Sequence, residues 1–409
     1  MENINQFWLI IHPHVYVSRV GLLDALLYNS QNGYYIEVNN QEIISLIDQL
    51  HEEKNLGSIL LENDILNTQI IGSFIIEAKM KGICDTVNFQ FNSPRPVQLM
   101  PILSIQKDIE KLKKQSNAIL GDGILNYLTQ ITLIVNNQCD FKFKFCSDAN
   151  KQFTYCTSMT ETVQSLKLDE LKSIATQISQ APINRVNIIG GDLSKYKLMP
   201  ELFDIFKKYD DIIHLWEYYR TNIIRFKGIL DVLVDFPIEI GEFNLMMSKI
   251  KIKKTSFHFL ITSEDEVSKA EQIIDEYNII DYQFYPYFNK KNIDFFERNI
   301  YMSKDDILGQ HIIQRLIFCN QVLNSNRFGQ LTVSCNGDVY ANVNAIKLGN
   351  IKEKKLLDII NDEIVINTSW RVIRDQKPCN ECLYQFLCPP PSNYESVIGK
   401  GNLCTLISN

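Results

Sequence analysis

The sequence predicts an α/β protein built on a parallel sheet, and three observations predict it. Between residues 127 and 305, six apolar runs (ITLIVNN, RVNIIGG, IIHLWEYY, FPIEIGEFNLMM, SFHFLITS and YQFYPYF) alternate with stretches of helical periodicity. Such alternation is the pattern of β-α repeats, whose strands are covered on both faces and so read as near-continuous apolar runs. The N-terminal residues behave differently, with short alternating segments followed by two amphipathic helices. The C-terminal residues, from 306 onward, show little periodicity but hold six of the ten cysteines. The periodicity leaves the sheet free to be open or closed.

Residues 1–88 read as a small α/β module. The segment VYVSRVGLLDALLYN is expected to pair with YYIEV across the turn Asn29-Ser30-Gln31-Asn32-Gly33 as a hairpin. Two short helices follow: Ile43, Ile44, Ile47 and Leu50 share one face of the first, and Ile70, Ile71, Phe74, Ile75 and Ala78 one face of the second. Gly82 is positioned to stop the second helix. Residues 89–126, with Pro94, Pro96 and Pro101 before the charged helical pattern IQKDIEKLKKQ, read as a linker. The region 127–305 holds the six strand candidates, and 306–409 forms a cysteine-rich end. His214 and His258 fall within strand candidates and read as core or rim residues.

Composition narrows the functional classes. Among 409 residues, 45% are apolar and 22% charged, which is ordinary for a globular protein able to bury several cores. A net charge of −7 argues against a nucleic-acid surface or an anionic membrane as partner. No apolar run reaches the roughly 20 residues of a membrane span. The first residues lack the basic and apolar regions of a secretion signal, so a cytoplasmic location with reduced or metal-bound thiols is expected.

The cysteines carry the chemistry. Cys379, Cys382 and Cys388 follow a C-x2-C-x5-C spacing, and Cys404 lies sixteen residues further on. Two cysteines separated by two residues can turn both sulfurs onto one centre, and two more complete a four-thiolate shell that suits zinc or an iron–sulfur cluster. Cys319 and Cys335 lie upstream. Cys139 and Cys146 follow the first strand candidate and bracket Phe143, and Cys156 lies ten residues beyond. Gly190-Gly191-Asp192 ends the second strand candidate, where a turn or a ligand-binding loop would lie. No zinc-protease, P-loop, serine-hydrolase or EF-hand motif is present.

These motifs resemble those of pseudo-radical-SAM/SPASM proteins, degenerate relatives of the radical-SAM peptide maturases found in Bacteroidales-type peptide natural-product systems. The tail CNECLYQFLCPPPSNYES with Cys404, preceded by CNGDVYANVNAIKLGNI, is similar to the SPASM domain. The resemblance implies a 4Fe–4S auxiliary cluster on Cys379, Cys382, Cys388 and Cys404. For a second auxiliary cluster only Cys319 matches, with Cys335 an extra thiol close by; the other positions fall on Asn342 and Ser392. In the radical-SAM pattern a third cysteine would stand at Phe143, so Cys139 and Cys146 match a barrel cluster site that lacks one ligand. Gly190, Gly191 and Asp192 match the loop that binds S-adenosylmethionine, with Asp for Glu and Leu193 for Pro.

The implied fold is a partial (β/α)6 TIM-like barrel with an N-terminal PqqD-like winged-helix module, which captures a leader peptide, and a C-terminal SPASM domain. The implied function is accessory: to bind a ribosomal precursor peptide and support its modification by a partner radical-SAM maturase, without catalysis of its own. Two alternatives stand beside it. One is an active maturase with an atypical barrel cluster and bound S-adenosylmethionine. The other is a zinc-stabilised peptide-binding protein. For the N-terminal module, a structural or dimerisation role fits the same residues.

Overall fold

The computed structural model describes residues 5–90, 93–99, 123–140, 152–153, 162–250 and 254–406. Phe143, Cys146 and Cys156 lie outside the described residues.

The chain begins with β1 (Gln6–Ile11), β2 (Val15–Val20), β3 (Asp24–Asn29), β4 (Tyr35–Asn39), α1 (Gln41–His51), β5 (Ser58–Glu62), α2 (Ile71–Met80) and β6 (Cys84–Asn88). They form two antiparallel sheets, ordered β5-β1-β6 and β2-β3-β4. The Asn29–Gly33 turn joins β3 to β4 as expected. Gly33 adopts φ +79°, and its N–H donates to the Asn29 carbonyl at 2.8 Å. The upstream arm is not one strand, however. Gly21, at φ +59°, folds VYVSRVGLLDALLYN into β2 and β3, so the hairpin is a three-stranded meander. A left-handed glycine can reverse a chain that alternation alone makes look continuous. Helix α1 is capped by Asn40, whose side chain accepts from Glu42 N–H and Ile43 N–H, and it buries Ile44, Leu46, Ile47 and Leu50. Gly82, at φ +64°, follows the end of α2.

The central sheet has nine strands in the order β12-β11-β10-β9-β8-β7-β13-β14-β15. Its strands β7 (Gln130–Ile134), β8 (Arg185–Ile189), β9 (Ile213–Tyr218), β10 (Ile229–Val234), β11 (Thr255–Ile261) and β12 (Tyr282–Pro286) lie side by side in chain order and run parallel. β13 (Gln330–Val333) adds a parallel strand beyond β7, and β14 (Asp338–Tyr340) and β15 (Gly349–Asn350) continue antiparallel. The helices α3 (Leu168–Ile178), α4 (Met199–Ile205), α5 (Ile240–Lys249), α6 (Glu264–Glu276) and α7 (Ile293–Asn299) occur between or after these strands.

One strand was assigned to the wrong residues. FPIEIGEFNLMM is not a strand: Phe236 and Pro237 follow β10, and the rest forms α5, which buries Phe243 and Met246. Those two positions repeat at helical spacing, which the apolar density of the run conceals. The fourth strand is ILDVLV, whose apolar run is interrupted by Asp231.

Alternate residues of the strands face opposite ways. One set, including Leu133, Ile188, Leu215 and Val333, packs with Leu171, Ile174 and Leu202 of the helices. A second core joins Val232, Val234, Phe257 and Phe259 to Phe243 and Ala270. The opposite face is polar. There Asn187 donates to Thr132 Oγ1 at 3.1 Å and accepts from the Trp216 indole at 3.2 Å.

After the parallel strands come α8 (Lys304–Leu308), α9 (Gln314–Val322), α10 (Leu356–Ile366) and α11 (Asn393–Ile398). Tyr16, Leu26 and Tyr28 of the N-terminal strands share an apolar cluster with Ile307, Ile312, Tyr384 and Leu387. The C-terminal residues therefore buttress the β2-β3-β4 sheet directly. Among the described residues no helix is long and apolar enough to cross a membrane.

Candidate metal centre

The segment carrying three of the tail cysteines has almost no helix or strand, so its shape comes from turns and side-chain bonds. Cys382 N–H donates to the Cys379 carbonyl at 3.1 Å, and Leu387 and Cys388 N–H both donate to the Tyr384 carbonyl, at 3.0 and 3.1 Å. The Asn320 side chain, on α9, donates to the carbonyls of Phe386 and Cys388 at 3.0 and 3.1 Å, fixing the loop from outside. Cys404 arrives from the far end. Met302 N–H donates to the Leu403 carbonyl at 2.9 Å, and Thr405 N–H donates back to the Met302 carbonyl at 3.1 Å.

These contacts bring Cys379, Cys382, Cys388 and Cys404 around one small cavity, beside Met302 and Arg374. Four thiols around a shared space supply the donor set of a four-thiolate centre, which suits zinc or an iron–sulfur cluster.

The electrostatics favour the same donor set. Burial pushes the thiol of Cys388 up to about 12, opposed by Arg374 and reinforced by the three neighbouring cysteines. Burial likewise raises Cys379 and Cys382. Cys379, Cys382 and Cys388 thus resist ionising on their own, and bound cations would reverse that preference. Arg374 adds one fixed positive charge. It pairs with Glu395 at 2.8 Å, with both side chains under a tenth exposed, and its Nη1 lies 3.7 Å from Cys379 Sγ. Asn402 Nδ2 lies 3.1 Å from Cys404 Sγ. The donor set fits a 4Fe–4S cluster, for which these four cysteines would be the ligands; when bound, such a cluster supplies cross-linking and one-electron redox capacity.

The remaining cysteines lie elsewhere. Cys335, just after β13, packs with Ile134 and Ile189 in a small apolar cluster. Cys319 sits within α9. Neither lines the four-cysteine cavity.

Gly190, Gly191 and Asp192 follow β8 at the carboxyl ends of the parallel strands. Gly191 N–H donates to Asn136, to both its carbonyl at 3.1 Å and its side-chain oxygen at 3.0 Å. Asp192 N–H donates to the Gln138 carbonyl at 2.7 Å, and Asn136 Nδ2 donates back to the Asp192 carbonyl at 3.0 Å. The Asp192 carboxylate accepts from Ser194 N–H and hydroxyl at 3.0 and 2.6 Å. A Cβ on Gly191 would collide with the Gln138 carbonyl and lie 3.0 Å from Cys139 Cβ, so the glycine is required by close approach and Cys139 sits against this loop.

The sequence reading missed several charged residues buried in or beside this sheet. Asp231, on β10, accepts from His214 and His258 at 2.7 Å each. Burial pushes its carboxyl up, but the two imidazole bonds outweigh that and hold it below the usual carboxylate range. His214 and His258 thus flank a carboxylate. Glu217, 1% exposed on β9, is pushed by burial up to about 8, against the bond from Thr221 and with added repulsion from Asp192. The available signal was a charge interrupting an apolar strand, in ILDVLV and in HLWEY.

Residues 325–383 match the SPASM family, an iron-sulfur cluster-binding domain. The match includes Cys335, Cys379 and Cys382 and ends before Cys388 and Cys404, so the chain carries a SPASM segment, in line with the resemblance of its tail. Two solved structures are similar to most of the chain. One is Streptococcus suis SuiB bound to S-adenosylmethionine, at 14% identity and a TM-score of 0.45, covering 96% of this chain and 97% of that one. The other is Streptococcus suis SuiB bound to the precursor peptide SuiA, at 14% identity and a TM-score of 0.46, covering 97% and 100%. Likenesses of that depth do not by themselves define an activity. Among curated proteins, none matches the chain.

Proposed function

We propose that this chain is an accessory protein of the radical-SAM/SPASM type, which binds a ribosomal precursor peptide in the cytoplasm and supports its modification by a partner radical-SAM maturase. Its SPASM end holds one 4Fe–4S cluster on Cys379, Cys382, Cys388 and Cys404. The six parallel strands in chain order support a degenerate partial (β/α)6 barrel over residues 127–305. Residues 1–88, with two small sheets and two helices, support a PqqD-like module joined through 89–126 to the barrel, and 306–409 forms the SPASM-like part. The outer strands of the N-terminal sheets offer the edges that an extended leader peptide needs for strand addition.

The observation that carries the non-catalytic reading is how the Gly190-Gly191-Asp192 loop uses its polar groups. The N–H groups of Gly191 and Asp192 and the Asp192 carboxylate bond within the protein. These bonds commit the two N–H groups and Asp192 Oδ1 to the protein, which leaves fewer groups of this loop for a ligand such as S-adenosylmethionine. Phe143, in place of a third cysteine, points the same way because a phenyl ring cannot ligate iron. One contact favours the second reading, an active maturase: Cys139 lies against Gly191, as a barrel ligand beside a cofactor loop would.

The test is iron and acid-labile sulfide per chain in anaerobically purified protein, followed by reductive incubation with S-adenosylmethionine. About four of each and no 5′-deoxyadenosine are expected from a single cluster. About eight of each with 5′-deoxyadenosine formed would make the chain an enzyme. Zinc without sulfide would exclude both and leave a zinc-stabilised binding protein.

A further inference from the structure

The polar face of the central sheet borders a cavity of about 440 Å³, which the four-cysteine site and the Gly-Gly-Asp loop do not use. Two guanidinium groups line it: Arg185 from the first position of β8 and Arg327 from the turn before β13. Arg185 is partly held. Its Nε donates to Asn187 Oδ1 at 2.9 Å, and its Nη2 lies 4.0 Å from Asp231, whose carboxylate already accepts from His214 and His258.

Arg327 is different. Among the described residues no hydrogen bond or ion pair engages its guanidinium; the one carboxylate it senses, Glu395, is already committed to Arg374 and to Ser392. Burial lowers its pKa to about 10, with Glu395 only partly opposing. The residue is only partly buried, and a guanidinium carries five donors in a planar fork, so at the cavity wall these donors face the enclosed space. An anion entering the cavity would give them an acceptor.

The remaining walls indicate what kind of anion. Trp216, Tyr285 and Tyr394 present aromatic rings to the same space, which suits the apolar body of a residue whose charged end reaches the arginines. The planar fork of arginine matches the two oxygens of a carboxylate.

We propose that this cavity receives a carboxylate of the bound peptide, from an Asp or Glu side chain or from a C-terminus, with Arg327 as its principal partner and Arg185 as the second. This inference rests on the peptide-binding reading above. It assigns to the interior of the sheet a contact separate from leader capture by the N-terminal module.

The test uses the full-length, anaerobically purified chain and three short probes. These are Ac-Gly-Glu-Gly-NH2, Ac-Gly-Gln-Gly-NH2, and Ac-Gly-Gly-Gly with a free C-terminal carboxylate. Binding is read from Trp216 fluorescence, with Trp216→Phe as the blank for the other tryptophans. A carboxylate probe should bind roughly tenfold more tightly than the glutamine probe, and the stronger of the two carboxylate probes identifies the source. Arg327→Gln should abolish the preference while leaving iron content and melting temperature unchanged. If that variant does not fold, Arg185→Gln should weaken the same preference. Equal affinity for the glutamate, glutamine and free-carboxylate probes would overturn the proposal, as would a preference that survives in Arg327→Gln. Displacement of the probes by equimolar inorganic phosphate would also overturn it, making the site one for small oxyanions. Leader-peptide titration of the same samples keeps the two readings apart. Lost leader binding with an intact carboxylate preference counts against the accessory role alone.

Discussion

The Tyr384 hydroxyl donates a 2.7 Å hydrogen bond to Glu37, tying the loop between Cys382 and Cys388 to strand β4 at the edge of the N-terminal sheet. Lys304 completes the junction, with its ammonium 2.6 Å from the same carboxylate and 5.9 Å from the centres of the Tyr35 and Tyr384 rings. Burial alone would raise the Glu37 carboxyl, but its bonds to Lys304 and Tyr384 lower it overall. The cysteine loop and the N-terminal sheet therefore share a contact surface.

Tyr384→Phe should remove the bond and keep the ring. A loss of about 1 kcal/mol is expected for such a single bond, and faster amide exchange should appear in β2–β4 as well as in the cysteine loop. Hydrogen-exchange mass spectrometry reads both regions at once. Exchange altered only around Tyr384 would show that the contact does not transmit order.

The four-cysteine site predicts a division among the thiols. Cys382→Ser should lose the iron and lower the melting temperature, because metal binding and folding are coupled where regular structure is sparse. Cys139→Ala should leave the iron content unchanged. Elemental analysis of both variants decides it, and iron lost from Cys139→Ala would show that the barrel site is loaded.

Glu217 makes stability fall as pH rises. Its folded value, about 8, stands above the ordinary 4.5, so the folded chain keeps a proton that the unfolded chain releases. Its contribution is therefore fully present below about pH 4.5, declines through the window up to about 8, and is lost above it. The slope within that window is about 1.4 kcal/mol per pH unit. Glu217→Gln should flatten it. Melting curves at about pH 5 and pH 8 that fall equally in both proteins would rule the assignment out.

Glu363 organises the segment leading to the cysteines. Fully buried on α10, its carboxylate accepts from the backbone N–H groups of Thr368, Ser369 and Trp370, at 3.1, 2.8 and 2.7 Å, and from the Thr368 hydroxyl. Glu363→Ala leaves those donors without an acceptor beside the buried Trp370, at an expected cost of roughly 3 kcal/mol or more. Chemical denaturation followed by tryptophan fluorescence measures it. A change under about 1 kcal/mol would mean that water replaces the carboxylate.

Local chemistry made part of this molecule legible from its residues. Five of the six apolar runs became parallel strands of one sheet; four of them are largely buried and carry the continuous apolar signal of such strands, whereas β12 is largely exposed. The exception, FPIEIGEFNLMM, shows the limit of that signal: apolar density does not separate a strand from a buried helix, and Asp231 disguised the true strand next to it. The turn at Asn29–Gly33 and the stop at Gly82 were readable because left-handed positions favour glycine. The turn at Gly21 was overlooked because alternation continues through it.

The C-x2-C-x5-C spacing determined by itself that three sulfurs can approach one another, since the loops between them are only two and five residues long. Cys404 was grouped with them by resemblance rather than by spacing, and the tertiary structure brings it to their cavity through the Met302 bridge; tertiary structure alone decided that Arg374 and Glu395 stand beside them. It likewise decided that His214 and His258 flank Asp231, and that Arg327 reaches a cavity where, among the described residues, no carboxylate pairs with it. Spacing constrains residues that are close along the chain, whereas contacts between distant residues depend on how the elements pack, and no local pattern encodes that.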